Sequence, residues 1–149
     1  ESYNNNIKAT ERELDLYPLV LSIDFIKMEN RSMFGPEFQT HCILLLQTGP
    51  IESRSFSDFE NLYDLCKYVV KIFQECLGSS HTYKKFISYS PPEVLKFVND
   101  LPDISCLVYN KDLNMYAPYP KEWILEQILH YFKEMMSAYE EGESEIWLQ

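Results

Sequence analysis

The 149-residue chain has room for one domain with a single core, and 46% hydrophobic with 15% aromatic residues is too rich for a disordered or low-complexity polypeptide. Thirteen basic against 23 acidic residues give a formal charge of −10, a field that repels phosphate backbones and anionic headgroups and so argues against a nucleic-acid partner. No apolar run approaches the roughly 18–20 residues of a membrane span, the longest being Cys42-Ile43-Leu44-Leu45-Leu46, so membrane insertion is not expected.

Residues 1–16 are polar and read as a linker. The chain opens on Glu1 without a signal peptide, as expected of a piece of a longer precursor. Residues 17–21 form a short β-prone run, and Ser22 with Asp24 behind it suits the start of a helix from Ile23 that Gly35-Pro36 stops, with Phe25 and Met28 near one face, the alternative being that the strand continues through Ile23 to Met28. Residues 41–47 are continuously aliphatic, the pattern of a strand buried on both faces. Ser55 or Ser57 can cap the next helix, in which Phe59, Leu62, Tyr63, Cys66, Val70, Phe73 and Leu77 recur at helical spacing until Gly78. Residues 83–89 are β-rich. Pro91-Pro92 opens a short helix with Val94, Leu95, Val98 and Leu101 inward, ended by Pro102. Residues 104–109 are a strand, 110–114 a hairpin turn and 115–117 the return. A last helix from Lys121 carries Ile124, Ile128, Tyr131, Phe132 and Met135 on one stripe, and residues 142–149 form a tail.

The order β-α-β-α-β-α-β-β-α predicts an α/β domain over residues 17–141, a central mixed sheet flanked by helices on both faces. The thioredoxin fold has such an order. Tyr17-Pro18-Leu19-Val20, followed by Met33-Phe34-Gly35-Pro36-Glu37-Phe38-Gln39-Thr40-His41-Cys42 and the aliphatic strand, resembles the non-catalytic b′ domain of protein disulfide isomerases. Leu101-Pro102-Asp103 stands where thioredoxin folds place a Pro, commonly cis. The four cysteines Cys42, Cys66, Cys76 and Cys106 include no Cys-x-x-Cys, so dithiol exchange is excluded.

The resemblance implies a redox-inactive, non-enzymatic, cofactor-free domain of an endoplasmic-reticulum folding protein that binds unfolded polypeptide or a partner chaperone through an apolar groove. Candidates for that groove are Phe25, Met28, Met33 and Phe34 near the first helix and Leu95, Phe97 and Leu101 from the third, and Trp147-Leu148 could dock into it. The sequon Asn30-Arg31-Ser32 would carry a glycan in that compartment. His41, His81 and His130 show no metal-ligand spacing, Ser53, Ser55 and Ser57 lie in no nucleophile elbow, and four glycines leave no phosphate loop.

Two other readings compete. Asp24, Asp58 and Asp103 could be metal carboxylates of an RNase H-like nuclease. Arg54-Ser55-Phe56-Ser57-Asp58-Phe59 is similar to the signature of phosphoinositide-binding PX modules, with Lys84 and Lys85 as the available cations.

Overall fold

A computed structural model describes residues 39–79 and 89–147. The first strand, β1 (Cys42–Gln47), turns through a 3-10 segment, Ile51–Ser53, into β2 (Arg54–Phe59). Ser53 ties this turn by donating its hydroxyl to the Pro50 carbonyl at 2.6 Å and accepting the Gly49 N–H at 2.9 Å. The short connection makes β1 and β2 an antiparallel hairpin. Ser55 and Ser57 therefore belong to a strand, and the helix they were expected to cap starts later. Its cap is Asn61, whose Oδ1 accepts the Asp64 N–H at 2.9 Å, opening α1 (Leu62–Ser79).

The second helix, α2 (Pro91–Asp100), has prolines where a first turn needs no donors, and the Ser90 N–H donates to the Glu93 carboxylate at 2.6 Å as half of a capping box. Of the β-rich stretch before it only Tyr89 is described, and it is buried outside any strand. Strand β3 (Asp103–Asn110) returns as β4 (Met115–Tyr119). In the turn between them, Asn110 Oδ1 accepts the N–H groups of Asp112 and Leu113, and Asn114 takes the left-handed conformation at φ 50°, which Asn tolerates. The last helix is α3 (Lys121–Trp147).

The sheet order is β2-β1-β3-β4 and every pairing is antiparallel. This corrects the mixed sheet and the thioredoxin-like fold expected from the sequence. The parallel crossover those required vanishes once residues 54–59 pair back on β1 as a hairpin. Alternate residues Cys42, Leu44 and Leu46 of β1 and Ile104, Cys106 and Val108 of β3 point into one core with the apolar stripes of the helices. Leu62, Leu65, Val94, Val98, Ile124, Ile128 and Phe132 fill it from the helix side. Among the described residues the helices cover this one face, which corrects the expectation of helices on both faces and of a β1 buried on both. Lys121 joins two helix ends: its Nζ donates to the carbonyls of Asn99 at 3.0 Å and Leu101 at 2.7 Å, where α2 leaves acceptors unpaired.

Candidate functional site

The pairing register assigns the side chains of the other face. Where Leu44 turns in, Ile43 and Leu45 turn out, and the residues opposite them share their direction. Four rows cross the sheet. Arg54, Gln47 and Asp103 lie at one end; then come Phe56, Leu45 and Ser105; then Asp58, Ile43, Leu107 and Pro118; and at the far end His41, Tyr109 and Tyr116. An antiparallel sheet covered on one side ordinarily carries polar residues on the other. Here the middle is apolar, with Phe56 76% and Leu45 40% exposed, and Tyr116 at the far end is 41% exposed. The only formal charges in the outward rows of the four strands are Arg54, Asp58 and Asp103, so the face is close to neutral on a chain of −10.

A polar chain closes the far end. His41 Nε2 lies 3.1 Å from Asp58 Oδ2 and its Nδ1 2.8 Å from the Tyr116 hydroxyl. An ionised carboxylate can only accept, so in neutral His41 the Nε2–H donates to Asp58 and Nδ1 accepts the Tyr116 O–H. The bond from His41 holds the Asp58 carboxyl below the usual carboxylate range. The Tyr116 ring also meets the Tyr109 ring edge-on, centroids 5.4 Å apart, and the Tyr109 hydroxyl bonds Asn114. At the other end Arg54 Nε donates to Gln47 Oε1 at 3.0 Å. These contacts fix the polar ends while the apolar middle stays uncovered.

Three of the four cysteines lie beneath this face rather than on it. Cys42, Cys66 and Cys106 are buried in the core, and burial pushes the thiols of Cys42 and Cys106 up to about 12 and that of Cys66 well above its ordinary value. They are thiols, not thiolates, and pack as small apolar groups. Cys76 is exposed. Among the described residues no group of three or more His, Cys, Asp or Glu could hold a metal ion, and no helix is long and apolar enough to cross a membrane.

The residues singled out from the sequence lie elsewhere. Phe25, Met28, Met33, Phe34, Asn30 and Asp24 fall outside the described residues, as do Lys84, Lys85 and the apolar tail end at Leu148. Leu95 and Leu101 are core residues, 2% and 6% exposed, and Phe97 packs on Phe73 with ring centroids 5.5 Å apart, so this trio fills the helix layer. Pro102 is exposed in the turn from α2 to β3, and no described peptide bond is cis. Asp58 and Asp103 do not converge: they flank Ile43 and Gln47, four residues apart on β1, or roughly 13 Å along the strand. Sequence reasoning missed Ile43, Leu45, Phe56, Leu107 and Tyr116 as a group, although an aliphatic run that leaves β1 apolar on both sides was their signal.

Residues 38–138 match the family model described as enhancer of rudimentary, more than half of the 149-residue chain. The chain is similar to the protein enhancer of rudimentary of Drosophila virilis, 41% identical over 90 residues, which is 60% of this chain and 86% of the relative. It is similar to enhancer of rudimentary homologues of Dictyostelium discoideum, 34% identical over 64% of this chain and 97% of the relative, and of Arabidopsis thaliana, 28% identical over 66% and 91%. These matches overturn the resemblance to the disulfide isomerase b′ domain. With it go the chaperone role in client binding, the endoplasmic-reticulum placement and the glycoprotein reading, all of which that resemblance implied. The nuclease and PX readings fall as well, the latter because the Arg54-to-Phe59 motif is the edge strand of this sheet. Across residues 38–138, on the strength of that match and of relatives covered over most of their length, this chain belongs to the enhancer of rudimentary family.

Proposed function

We propose that the chain is a non-catalytic protein-interaction module that works by packing the open face of its sheet on another protein surface, a second copy being the occupant that face fits. The observation that carries this reading is the uncovered apolar middle: Ile43, Leu45, Phe56 and Leu107 in adjoining rows, rimmed by Arg54, Gln47, Asp58 and Asp103. Apolar rows with a polar rim are the anatomy of a protein interface. Flat antiparallel sheets pack face to face with strand directions within about 30°, interdigitating such rows. A chain of −10 repels its copies over most of its surface, but the near-neutral face is where that repulsion is least. The buried thiols of Cys42 and Cys106 give a nucleophilic role no support.

Sedimentation equilibrium over a wide concentration series tests the reading. Leu45→Asp places a carboxylate in the middle of the face and abolishes association, while far-UV circular dichroism keeps the native spectrum. Association that survives Leu45→Asp in a folded chain overturns it.

A further inference from the structure

Residues 1–37 precede the family match, and the matched relatives are already covered over 86% and 97% of their length, so this segment is additional to what the chain shares with them. It divides sharply in composition. Residues 1–16 carry six charges, Glu1, Lys8, Glu11, Arg12, Glu13 and Asp15. Residues 17–28 carry Leu19, Val20, Leu21, Ile23, Phe25, Ile26 and Met28 with only Asp24 and Lys27 charged, a net charge of zero.

A neutral apolar segment of that density gains from leaving water, at roughly 1.5–3 kcal/mol for each large side chain fully buried. The helix side of the sheet is a filled core; Ile51 and Leu113 are exposed singly in turns and Met115 at the start of β4, so the apolar side chains left uncovered in adjoining rows within the described fold are those of the open face. The segment is attached at the right place. It joins the fold at His41, immediately before β1, the strand that supplies Ile43 and Leu45. Twelve residues lie between Met28 and His41, and the thirteen steps reach about 40–45 Å when extended, twice the ~20 Å length of a six-residue strand, so residues 17–28 can lie on any row of the face. Tethering also gives an effective concentration in the millimolar range, which a free partner must exceed.

We propose that residues 17–28 dock on the open sheet face of their own chain and compete there with a second copy, so that the family's common fold carries in this chain a tethered regulator of its own interface. The proposal rests on the reading of that face as the docking surface. A partner then binds only after displacing the segment, and dimerisation requires two displacements. The apparent dissociation constant of the dimer rises as the inverse square of the open fraction, so a face capped about nine-tenths of the time costs association ~100-fold.

The test uses the full chain. With a photo-crosslinking benzoylphenylalanine in place of Phe56, irradiation at high dilution links position 56 to residues 17–28 at the mass of a single chain. The variant Leu19→Ser/Leu21→Ser/Phe25→Ser, altered only outside the described fold, loses that crosslink and associates at least tenfold more tightly in sedimentation equilibrium. A parent that stays monomeric while this variant dimerises supports the proposal equally. Crosslinks exclusively to a second chain, with parent and variant associating alike, overturn the proposal and leave the docking face standing. No crosslink to any segment, with association indifferent to Leu45→Asp, overturns both.

Discussion

Leu44 and Leu45 are consecutive residues of β1 that face opposite ways, 1% and 40% exposed, and replacing each with alanine separates folding from docking. Leu44→Ala empties space between β1 and the helices and should destabilise by about 2.7–5 kcal/mol, the range of cavity-forming Leu-to-Ala changes. At roughly 4–8 °C per kcal/mol for a domain of this size, the thermal midpoint drops by ~10 °C or more. Leu45→Ala opens no cavity. Fully burying a leucine contributes about 1.5–3 kcal/mol, and with 40% of Leu45 still exposed the docked state has about 1 kcal/mol per copy to gain from it. A symmetric interface counts it twice, so the substitution weakens self-association by about 2 kcal/mol, or ~30-fold. This is to be measured by sedimentation equilibrium in the Leu19→Ser/Leu21→Ser/Phe25→Ser background, where no segment competes. In the parent the shift is smaller, because Leu45 also contacts the docked segment and weakening two caps offsets weakening the dimer. Equal losses of thermal midpoint for the two alanine variants would refute the assignment of faces, and association within threefold of the background value would refute the role of Leu45.

The core thiols set an alkaline limit. Cys42 and Cys106 keep their protons to about 12 when folded against an ordinary 9.0, so their share of stability is complete below pH 9 and is lost as pH rises from 9 to 12. Each contributes a slope of about 1.4 kcal/mol per pH unit across that window, and denaturant titrations of Cys106→Ala should show the slope reduced by one such increment. Under native conditions near neutral pH, Ellman's reagent should label Cys76 alone, the other three reacting only on unfolding. Lys121→Met keeps the aliphatic stem but removes both charge-assisted bonds to the end of α2, and urea unfolding should show a loss of about 1.5–3 kcal/mol. Nitrogen-detected spectra of the His41 ring should show Nε2 protonated and Nδ1 bare in the neutral form; the opposite tautomer would break the Asp58–His41–Tyr116 assignment.

The described helices were legible because burial and periodicity agree in them, and three of the four strands because β-prone runs stand between clear turn residues. Leu62, Cys66, Val70 and Phe73 sit on the buried stripe of α1 as their spacing predicts, and the turn residues Asn110 and Asn114 mark the β3–β4 hairpin. Strand β2 was hidden because its pattern inverts the rule. Phe56 faces solvent while Ser57 faces inward, so alternation points the wrong way, and Ser55 and Ser57 imitate a helix cap. Losing one hairpin was enough to convert an antiparallel sheet into a mixed one and to make a thioredoxin-like order look natural. The disulfide isomerase resemblance then drew on residues 17–20 and 33–46, half of which precede the family match.

The inversion in β2 and the unbroken aliphatic run in β1 have one physical cause. A strand with a single buried face needs apolar residues at every second position, and Leu44 and Leu46 already meet that need. Ile43, Leu45 and Phe56 are therefore apolar beyond what folding of the one-layer core requires, and leaving them in water favours any association that covers them. Taken residue by residue that excess resembles core; only the register, which sets Phe56 beside Leu45 and Ile43 beside Leu107, turns it into a surface. A neutral apolar segment tethered at the start of β1 adds a second solution to the same problem. Two occupants for one face make the balance between them, rather than the face alone, the quantity on which partner binding depends.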